Sequence, residues 1–209
     1  CSSDLTVTTD YAAIQLPLGS PGAKLLGAPD LKPETSRNFS AGLVAEPFDG
    51  IHLAIDAFAT RVDDRIIESA YLYGALAQAA VAANGSVIPA GLSSDNVSAV
   101  FFTNGVDTKT TGVDIRLDGG LDLLNGRLRW DLSGTHQQTK IEKIHAAPKV
   151  LSDAGLALVD AVQTTNLTSA TPKTKISLAT NWARGPFRVR DRKSTRLNSS
   201  HSSVSRMPS

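Results

Sequence analysis

The feature that most constrains this chain is a strict alternation of apolar and charged residues in the segment 112–121. The apolar positions are Val113, Ile115, Leu117 and Leu121, and the charged positions between them are Asp114, Arg116 and Asp118. Successive side chains of a β-strand point to opposite faces, so the pattern predicts a strand with one apolar and one charged face. Such a strand suits a sheet with water on its charged face. It also suits a membrane barrel with lipid outside and a polar lumen inside.

The same alternation recurs along the chain, and short connections alternate with long ones. The predicted strands cover residues 38–46, 51–61, 112–121, 127–137, 175–182 and 187–190. Tight turns at 47–50, 122–126 and 184–186 join them in pairs, which predicts three antiparallel hairpins. Between the hairpins lie two long connections, residues 63–100 and 143–172, which we interpret as polar loops. The first contains an alanine-rich stretch at 72–83 that favours a short helix.

Short turns at one end and long loops at the other are typical of outer-membrane barrels. The chain has no run of about 18 apolar residues, which excludes a transmembrane helix but not a barrel, because barrel strands lack such runs. Phe48, Trp182 and Phe187 stand beside the short turns, where an aromatic girdle would meet the membrane surface. Aromatic residues also flank hairpins in soluble sheets. The fold class predicted is all-β: an antiparallel meander of long hairpins, forming an incomplete part of a large transmembrane β-barrel.

Three short motifs carry a family resemblance. Residues 102–114 read FTNGVDTKTTGVD, residues 31–36 read LKPETS, and residues 62–66 read VDDRI. The first resembles the stretch with an early Asn and a closing Gly-Val-Asp that lies near the C-terminal end of TonB-dependent outer-membrane receptors. The second and third resemble the Leu-Lys-Pro-Glu element before an earlier strand and the Asp-Asp-Arg-Ile strand end of the same family. The motifs occur in the family's order.

The resemblance implies a plugged barrel of about 22 strands in the bacterial cell outer membrane. It implies uptake of a scarce ligand such as a ferric siderophore, cobalamin or a glycan. The implied partners are outer-membrane lipid and TonB with its inner-membrane energising complex, reached through a plug domain that we expect to lie outside this chain. Two alternatives stay open: a passive porin-like barrel, and a soluble or lipid-anchored all-β surface module. The lipid-anchored form is considered because a mature lipoprotein also begins with a cysteine, as this chain does at Cys1.

The C-terminal segment 191–209 has a composition unlike the rest. Its first residues, DRKSTRLNSSH, can be read back in one frame as a common sequencing-library adapter. We therefore predict two regions: a partial receptor barrel over 1–190 and a disordered, artefactual tail over 191–209. The tail contributes +3 of formal charge, so residues 1–190 carry a net charge of −2 rather than the +1 of the whole chain. The apparent basicity therefore gives no support to a nucleic-acid partner.

The residues that could carry chemistry give no coherent site. Glu142 and His145 have the Glu-x-x-His spacing of a di-iron ligand pair, but that pair needs a helix and a second copy. Asp63 and Asp64 are adjacent, so on a strand they point to opposite faces. His136 and His145 are isolated in the sequence, and we expect each to be a solvated or rim histidine. The sequence therefore predicts no enzyme, no catalytic residues, no cofactor and no metal site, and it does not identify ligand-binding residues.

Overall fold

The computed structural model describes residues 11–87 and 92–197. Most of these residues lie in strands. The long strands are β2 (Thr35–Phe48), β3 (Ile51–Glu68), β5 (Phe102–Leu123), β6 (Gly126–Ile144), β7 (Thr174–Arg184) and β8 (Phe187–Leu197). Two short strands, β1 (Ala12–Gln15) and β4 (Val97–Val100), complete the set. The helices are α1 (Pro21–Leu25), α2 (Ala75–Ala83), α3 (Lys149–Asp153) and α4 (Ala161–Ser169), with one turn of 3₁₀ helix at Ser94–Asn96.

The six long strands form one sheet in the order β2-β3-β5-β6-β7-β8. The pairs β6–β7 and β7–β8 are antiparallel. Two-residue connections join β2 to β3 and β5 to β6, and a connection that short joins only antiparallel neighbours. All three predicted hairpins, the third being β7–β8, and the all-β antiparallel fold class are therefore confirmed. The strands are longer than predicted, because the sequence alternation marks only the parts whose two faces have different surroundings.

The turns have the backbone that tight hairpins require. Leu124 and Asn125 between β5 and β6 have φ values of +52° and +56°, the left-handed pair that matches the twist of a two-residue hairpin. Gly50 follows β2 with φ of +72°, and Gly185 follows β7 with φ of +54°. Glycine adopts these angles without the steric penalty that a Cβ introduces.

The chain divides into two compact units, which we name the packed unit and the sheet unit. The packed unit comprises the described residues of 1–35, 62–107 and 142–164. The sheet unit comprises those of 36–61, 108–141 and 165–209. Each unit is described by itself below.

The packed unit has a hydrophobic core built mostly from the long connections. Strand β1 pairs in parallel with β4, and helices α1 and α2 pack together at Gly22, where a Cβ would collide with the Ala80 carbonyl. The core residues are Leu16, Ala23, Leu26, Leu72, Ala77, Ala80, Val81, Val97, Ala99, Phe101, Leu151 and Leu158. The predicted helix at 72–83 is confirmed as α2. The interpretation of both connections as polar loops is wrong, because their apolar residues are spaced to meet one another in this core and do not alternate.

The sheet unit separates its side chains into two faces. Arg116 Nη2 lies 2.7 Å from Asp131 Oδ2, so these two residues share a face. Val113 and Ile115 on β5, and Leu128 and Trp130 on β6, have the opposite parity and share the other face. The β6–β7 register adds Leu178, opposite Leu132, and Ile176, opposite Gly134. We call this the apolar face. The apolar face predicted from the alternation is therefore confirmed for these residues.

The tail prediction needs a correction. Strand β8 runs through Leu197, and residues 191–197 pair in register with β7, from Asp191 opposite Thr180 to Leu197 opposite Thr174. These residues are therefore not disordered. Ladder hydrogen bonds come from the backbone and so do not depend on which side chains follow Arg190. All side chains of β8 are exposed. Residues 198–209 lie outside the described residues, and the adapter origin of the segment stays a prediction.

Candidate functional site

Asn104 connects the three sequence motifs within the packed unit. Its Nδ2 donates to the Lys32 carbonyl at 2.9 Å and to the Asp64 carbonyl at 2.6 Å, and its Oδ1 accepts from the Lys32 N–H at 2.8 Å. Glu34 Oε1 also accepts from the Ile66 N–H. One Asn and one Glu thus hold the segment before β2 to the end of β3. Side chains of two motifs thus satisfy backbone groups of the other motifs.

Asp64 is placed by an unusual backbone. Its φ of +55° lies in the left-handed region, which an Asp tolerates better than most residues do. Its carbonyl accepts from Asn104, as described above, and its N–H donates to Asp107 Oδ1 at 2.9 Å. Both backbone groups of Asp64 are therefore fixed by side chains of β5. The motif resemblance predicts that the Asp63–Asp64 pair lies at a strand end. In the structure, Asp64 lies where several segments meet.

Asp64, Asp107 and His145 form a cluster that we call the Asp-Asp-His cluster. His145 Nε2 lies 3.0 Å from Asp107 Oδ1, and His145 Nδ1 lies 3.8 Å from Asp64 Oδ1. The His145 N–H donates to the Gly105 carbonyl at 2.8 Å, which fixes the start of the connection after β6. The expectation that His145 is isolated is wrong. Its side chain is only 20% exposed, because β5 and the end of β6 bring it against two carboxylates.

Asp107 precedes the alternating segment of β5, and its carboxyl is almost fully buried. Burial alone would raise its pKa, since it disfavours the charged form. Hydrogen bonds from the Asp64 N–H and from the His145 ring, together with the attraction of His145, outweigh burial and lower the pKa of Asp107 below its ordinary value. Asp107 is therefore held as a carboxylate that accepts hydrogen bonds.

A cavity of about 310 Å³ opens beside the cluster within the packed unit. Asp64 and His145 line it, together with Asp30, Lys32 and Asn104. The cavity therefore presents two members of the cluster and one further carboxylate to solvent, with a single lysine from the motif before β2. It has room for several water molecules or a small polar ligand.

Glu142 does not join the cluster as a helical ligand pair would require. It lies on strand β6, three residues before His145, so the helix that the Glu-x-x-His interpretation needs is not formed there. His136 is in the sheet unit, where its Nδ1 is 2.8 Å from the Thr174 hydroxyl. The sequence did not identify Asp107 as a site residue, because it lies inside a motif that was selected for its Asn and Gly. Its histidine partner is also 38 residues away in the sequence.

The charged face of the sheet unit carries a second concave surface. Arg116 pairs with Asp131 across the strands and approaches Asp118 to 3.7 Å on its own strand. A groove of about 500 Å³ follows this face, lined also by Arg129, Asn181 and Arg190. The charged face predicted from the alternation thus forms a cross-strand ion pair between Arg116 and Asp131. Exposed pairs of this kind contribute little stability, so their arrangement matters chiefly for the polarity of the face.

No helix in the described part of the chain is both long and apolar enough to cross a membrane. A search of curated proteins finds no match to the chain. Among solved structures, the chain is similar to the outer membrane transporter YddB from Escherichia coli, with a TM-score of 0.44 and 12% sequence identity. That similarity covers 75% of this chain and 19% of the transporter.

The family comparison covers nearly the whole chain. The model of the TonB dependent receptor-like β-barrel family matches residues 4–206. The match spans all three hairpins, both long connections and all three motifs. The chain therefore belongs to the TonB-dependent receptor-like β-barrel family.

Proposed function

We propose that this chain is a section of an outer-membrane receptor that imports a scarce ligand with energy delivered through TonB. The proposed cargo is a ferric siderophore, cobalamin or a glycan, the classes that the family resemblance implies. TonB and the inner-membrane complex would act through a plug domain supplied by other parts of the receptor. We propose no catalytic role for the residues of this chain.

One observation carries the proposal: the sheet unit has no apolar core of its own. Every buried hydrophobic residue in ranges 11–87 and 92–197 belongs to the packed unit. In the sheet unit, Ile115, Ile176 and Leu178 leave 43–46% of their surface exposed on the apolar face. An exposed apolar band of this kind is expected where lipid covers it.

The opposite face supports the same interpretation. It carries the Arg116–Asp131 ion pair and the charged groove, which would be strongly destabilised in lipid. In a closed barrel this face would line the lumen, where ion pairs meet water or a plug. Near the Gly185 turn, Trp182 and Phe187 lie on the apolar face, since Trp182 pairs with Val189 and Phe187 with Arg184. That position suits an aromatic girdle at a membrane interface.

The connections indicate the direction of the chain in the membrane. The turns after β2, β5 and β7 have two residues each, whereas the connections after β3 and β6 run from 69 to 101 and from 145 to 173. Outer-membrane barrels place short turns in the periplasm and long connections outside the cell. We propose that the long connections are extracellular and contribute to ligand recognition, the usual role of structured loops on a rigid scaffold.

Surface labelling of whole cells tests this orientation. In the complete receptor with Cys1 replaced by Ser, single cysteines at Val87 and Ala154 report the long connections, and single cysteines at Asp49 and Pro186 report the short turns. We expect a membrane-impermeant thiol reagent to label the first pair in intact cells and the second pair only after permeabilisation. Labelling of Asp49→Cys and Pro186→Cys alone in intact cells would reverse the orientation and contradict the proposal.

A second experiment separates active import from passive diffusion. Radiolabelled or fluorescent candidate ligands are offered to cells that express the complete receptor, with and without a functional TonB. We expect uptake of one ligand class to require both proteins. Uptake that persists without TonB would instead indicate a passive, porin-like barrel.

A further inference from the structure

The Asp-Asp-His cluster has the composition and spacing of a metal site. One donor atom each from Asp64, Asp107 and His145 lies within 4.8 Å of the other two. Zinc binds carboxylate oxygen and imidazole nitrogen at about 2.0–2.2 Å, so two ligands of one tetrahedral ion are separated by roughly 3.4 Å. Movements of roughly 1 Å in the donor atoms would bring all three donors around one ion.

We propose that Asp64, Asp107 and His145 bind one divalent transition-metal ion within the packed unit. Two carboxylate oxygens and one imidazole nitrogen suit Zn²⁺, Mn²⁺ or Fe²⁺. Ca²⁺ and Mg²⁺ prefer donor sets made of oxygen alone, and Cu⁺ prefers sulfur. The two carboxylates supply the negative charge that balances a divalent cation.

The surroundings of the cluster hold the ligands in place. Asp107 is 12% exposed at its side chain and His145 is 20% exposed, so both are protected from bulk water. The Asp64 N–H and the Asn104 amide fix the backbone that presents the Asp64 carboxylate. Rigid support of this kind orients metal ligands.

The cavity would supply the remaining coordination position. Three protein ligands leave a tetrahedral ion with one open site, and Asp64 and His145 face the cavity of about 310 Å³. A water molecule there would complete the shell. The bound ion would join β3, β5 and the end of β6, segments that are far apart in sequence, and would stabilise the packed unit.

The competing explanation is a hydrogen-bonded network in which His145 Nε2 donates a hydrogen bond to Asp107 Oδ1 at 3.0 Å and no ion binds. Two substitutions distinguish the explanations. Asp107→Asn keeps an oxygen that can accept from the Asp64 N–H but removes an anionic metal ligand, and His145→Gln removes the imidazole. His136→Gln, which removes a histidine of the sheet unit, is the matched control.

The test is Zn²⁺ binding to the complete receptor, purified in detergent and stripped with a chelator. We expect the wild type and His136→Gln to bind one more equivalent of Zn²⁺ than Asp107→Asn and His145→Gln. A surviving site in either variant should be at least about tenfold weaker, since loss of a supporting residue alone has an effect of that size. An equal concentration of Mg²⁺ or Ca²⁺ should not displace the ion.

Stability measurements make both outcomes informative. If the cluster binds the ion, Zn²⁺ should raise the Tm of the wild type and of His136→Gln but not of Asp107→Asn or His145→Gln. Heat-modifiable migration first shows that each variant is folded. Equal Zn²⁺ stoichiometry in all four proteins would overturn the proposal, and so would a Tm that Zn²⁺ does not change in any of them. The cluster would then be a hydrogen-bonded network without an ion. Neither readout depends on ligand uptake, so these experiments test the metal site separately from the proposed function.

Discussion

The packed unit and the sheet unit place their apolar side chains in opposite surroundings. In the packed unit, short strands and helices bury a continuous apolar cluster that includes Phe101 and Leu151. In the sheet unit, long hairpins bury no hydrophobic side chain in the described ranges, and apolar residues such as Phe39 and Ile115 stay exposed. The first unit carries its own core, whereas the second exposes its apolar side chains, which we propose are covered by lipid.

Strand β5 shows the change within one element. From Thr103 to Thr108 its residues are buried or half-buried on both faces, and from Lys109 to Ile115 its burial alternates. Residues 103–108 are mostly polar, so hydrophobic patterning does not mark this buried part of the strand, whereas the part with two different faces shows a period of two. Local hydrophobic patterning therefore identifies only part of the length of β5.

The largest effect is expected from removing a core side chain of the packed unit. Phe101 is fully buried, so Phe101→Ala should lower the free energy of unfolding by about 3–5 kcal/mol. Phe39→Ala removes the same atoms from a residue that is 71% exposed in the sheet unit, so it should lower the free energy of unfolding far less. Thermal unfolding of the complete receptor in detergent measures both. Equal destabilisation would show that the two units do not differ in this way.

A charge on the apolar face should have the next largest effect. Leu132→Arg places a cation where lipid is expected and should cost about 2–4 kcal/mol near the midplane. The neighbouring Ser133→Arg places the same side chain on the charged face, and we expect near-normal folding. The folded fraction in outer-membrane fractions, read from heat-modifiable migration, reports the difference. A milder effect at Leu132 than at Ser133 would reverse our assignment of the faces.

Loss of the motif junction should have a smaller, local effect. Asn104→Ala leaves the Lys32 N–H, the Lys32 carbonyl and the Asp64 carbonyl without a side-chain partner, at a cost of about 1–3 kcal/mol. Gln138→Ala, at an exposed position of β6, is the control. Hydrogen exchange should show faster exchange of the Lys32 amide only in Asn104→Ala. Unchanged protection at Lys32 would mean that the junction does not hold this segment.

The smallest effect is expected at a turn of the sheet unit. Leu124 adopts a φ of +52°, which disfavours a leucine, so Leu124→Asn should stabilise the β5–β6 hairpin by less than about 1 kcal/mol. Leu123→Asn, made one residue earlier at the end of the strand, should give no such gain. Urea unfolding of the complete receptor compares the two variants. A loss of stability in Leu124→Asn would indicate that the leucine makes a contact that outweighs its backbone strain.

The sheet was predictable because alternation and turn chemistry are local. The Asp122–Gly126 segment, with its Asn-Gly pair, marked the β5–β6 hairpin, and the alternation after Gly112 identified the apolar and charged faces. The core of the packed unit was not predictable in the same way. Its residues come from three separated parts of the chain, and a leucine such as Leu151 in a polar stretch carries no local sign of its partner.

The Asp-Asp-His cluster was hidden for a related reason. Asp64, Asp107 and His145 become neighbours only when β3, β5 and β6 pair, and no local spacing links them. The family motifs include Asp64 and Asp107, but they do not indicate that both carboxylates lie close to His145. In the segment 191–197, by contrast, an adapter-like sequence predicted disorder, whereas backbone pairing with β7 extends the strand to Leu197.

The most direct test of the central claim is the pattern of lipid contact along β5. Single spin labels at residues 113 to 118 of the complete receptor, in lipid vesicles, report collisions with oxygen, which enriches in lipid, and with a water-soluble relaxation agent. We predict that oxygen contact peaks at Val113, Ile115 and Leu117 and that contact with the water-soluble agent peaks at Asp114, Arg116 and Asp118. A profile without this period of two, with all six positions equally accessible to the water-soluble agent, would contradict a lipid-facing sheet unit.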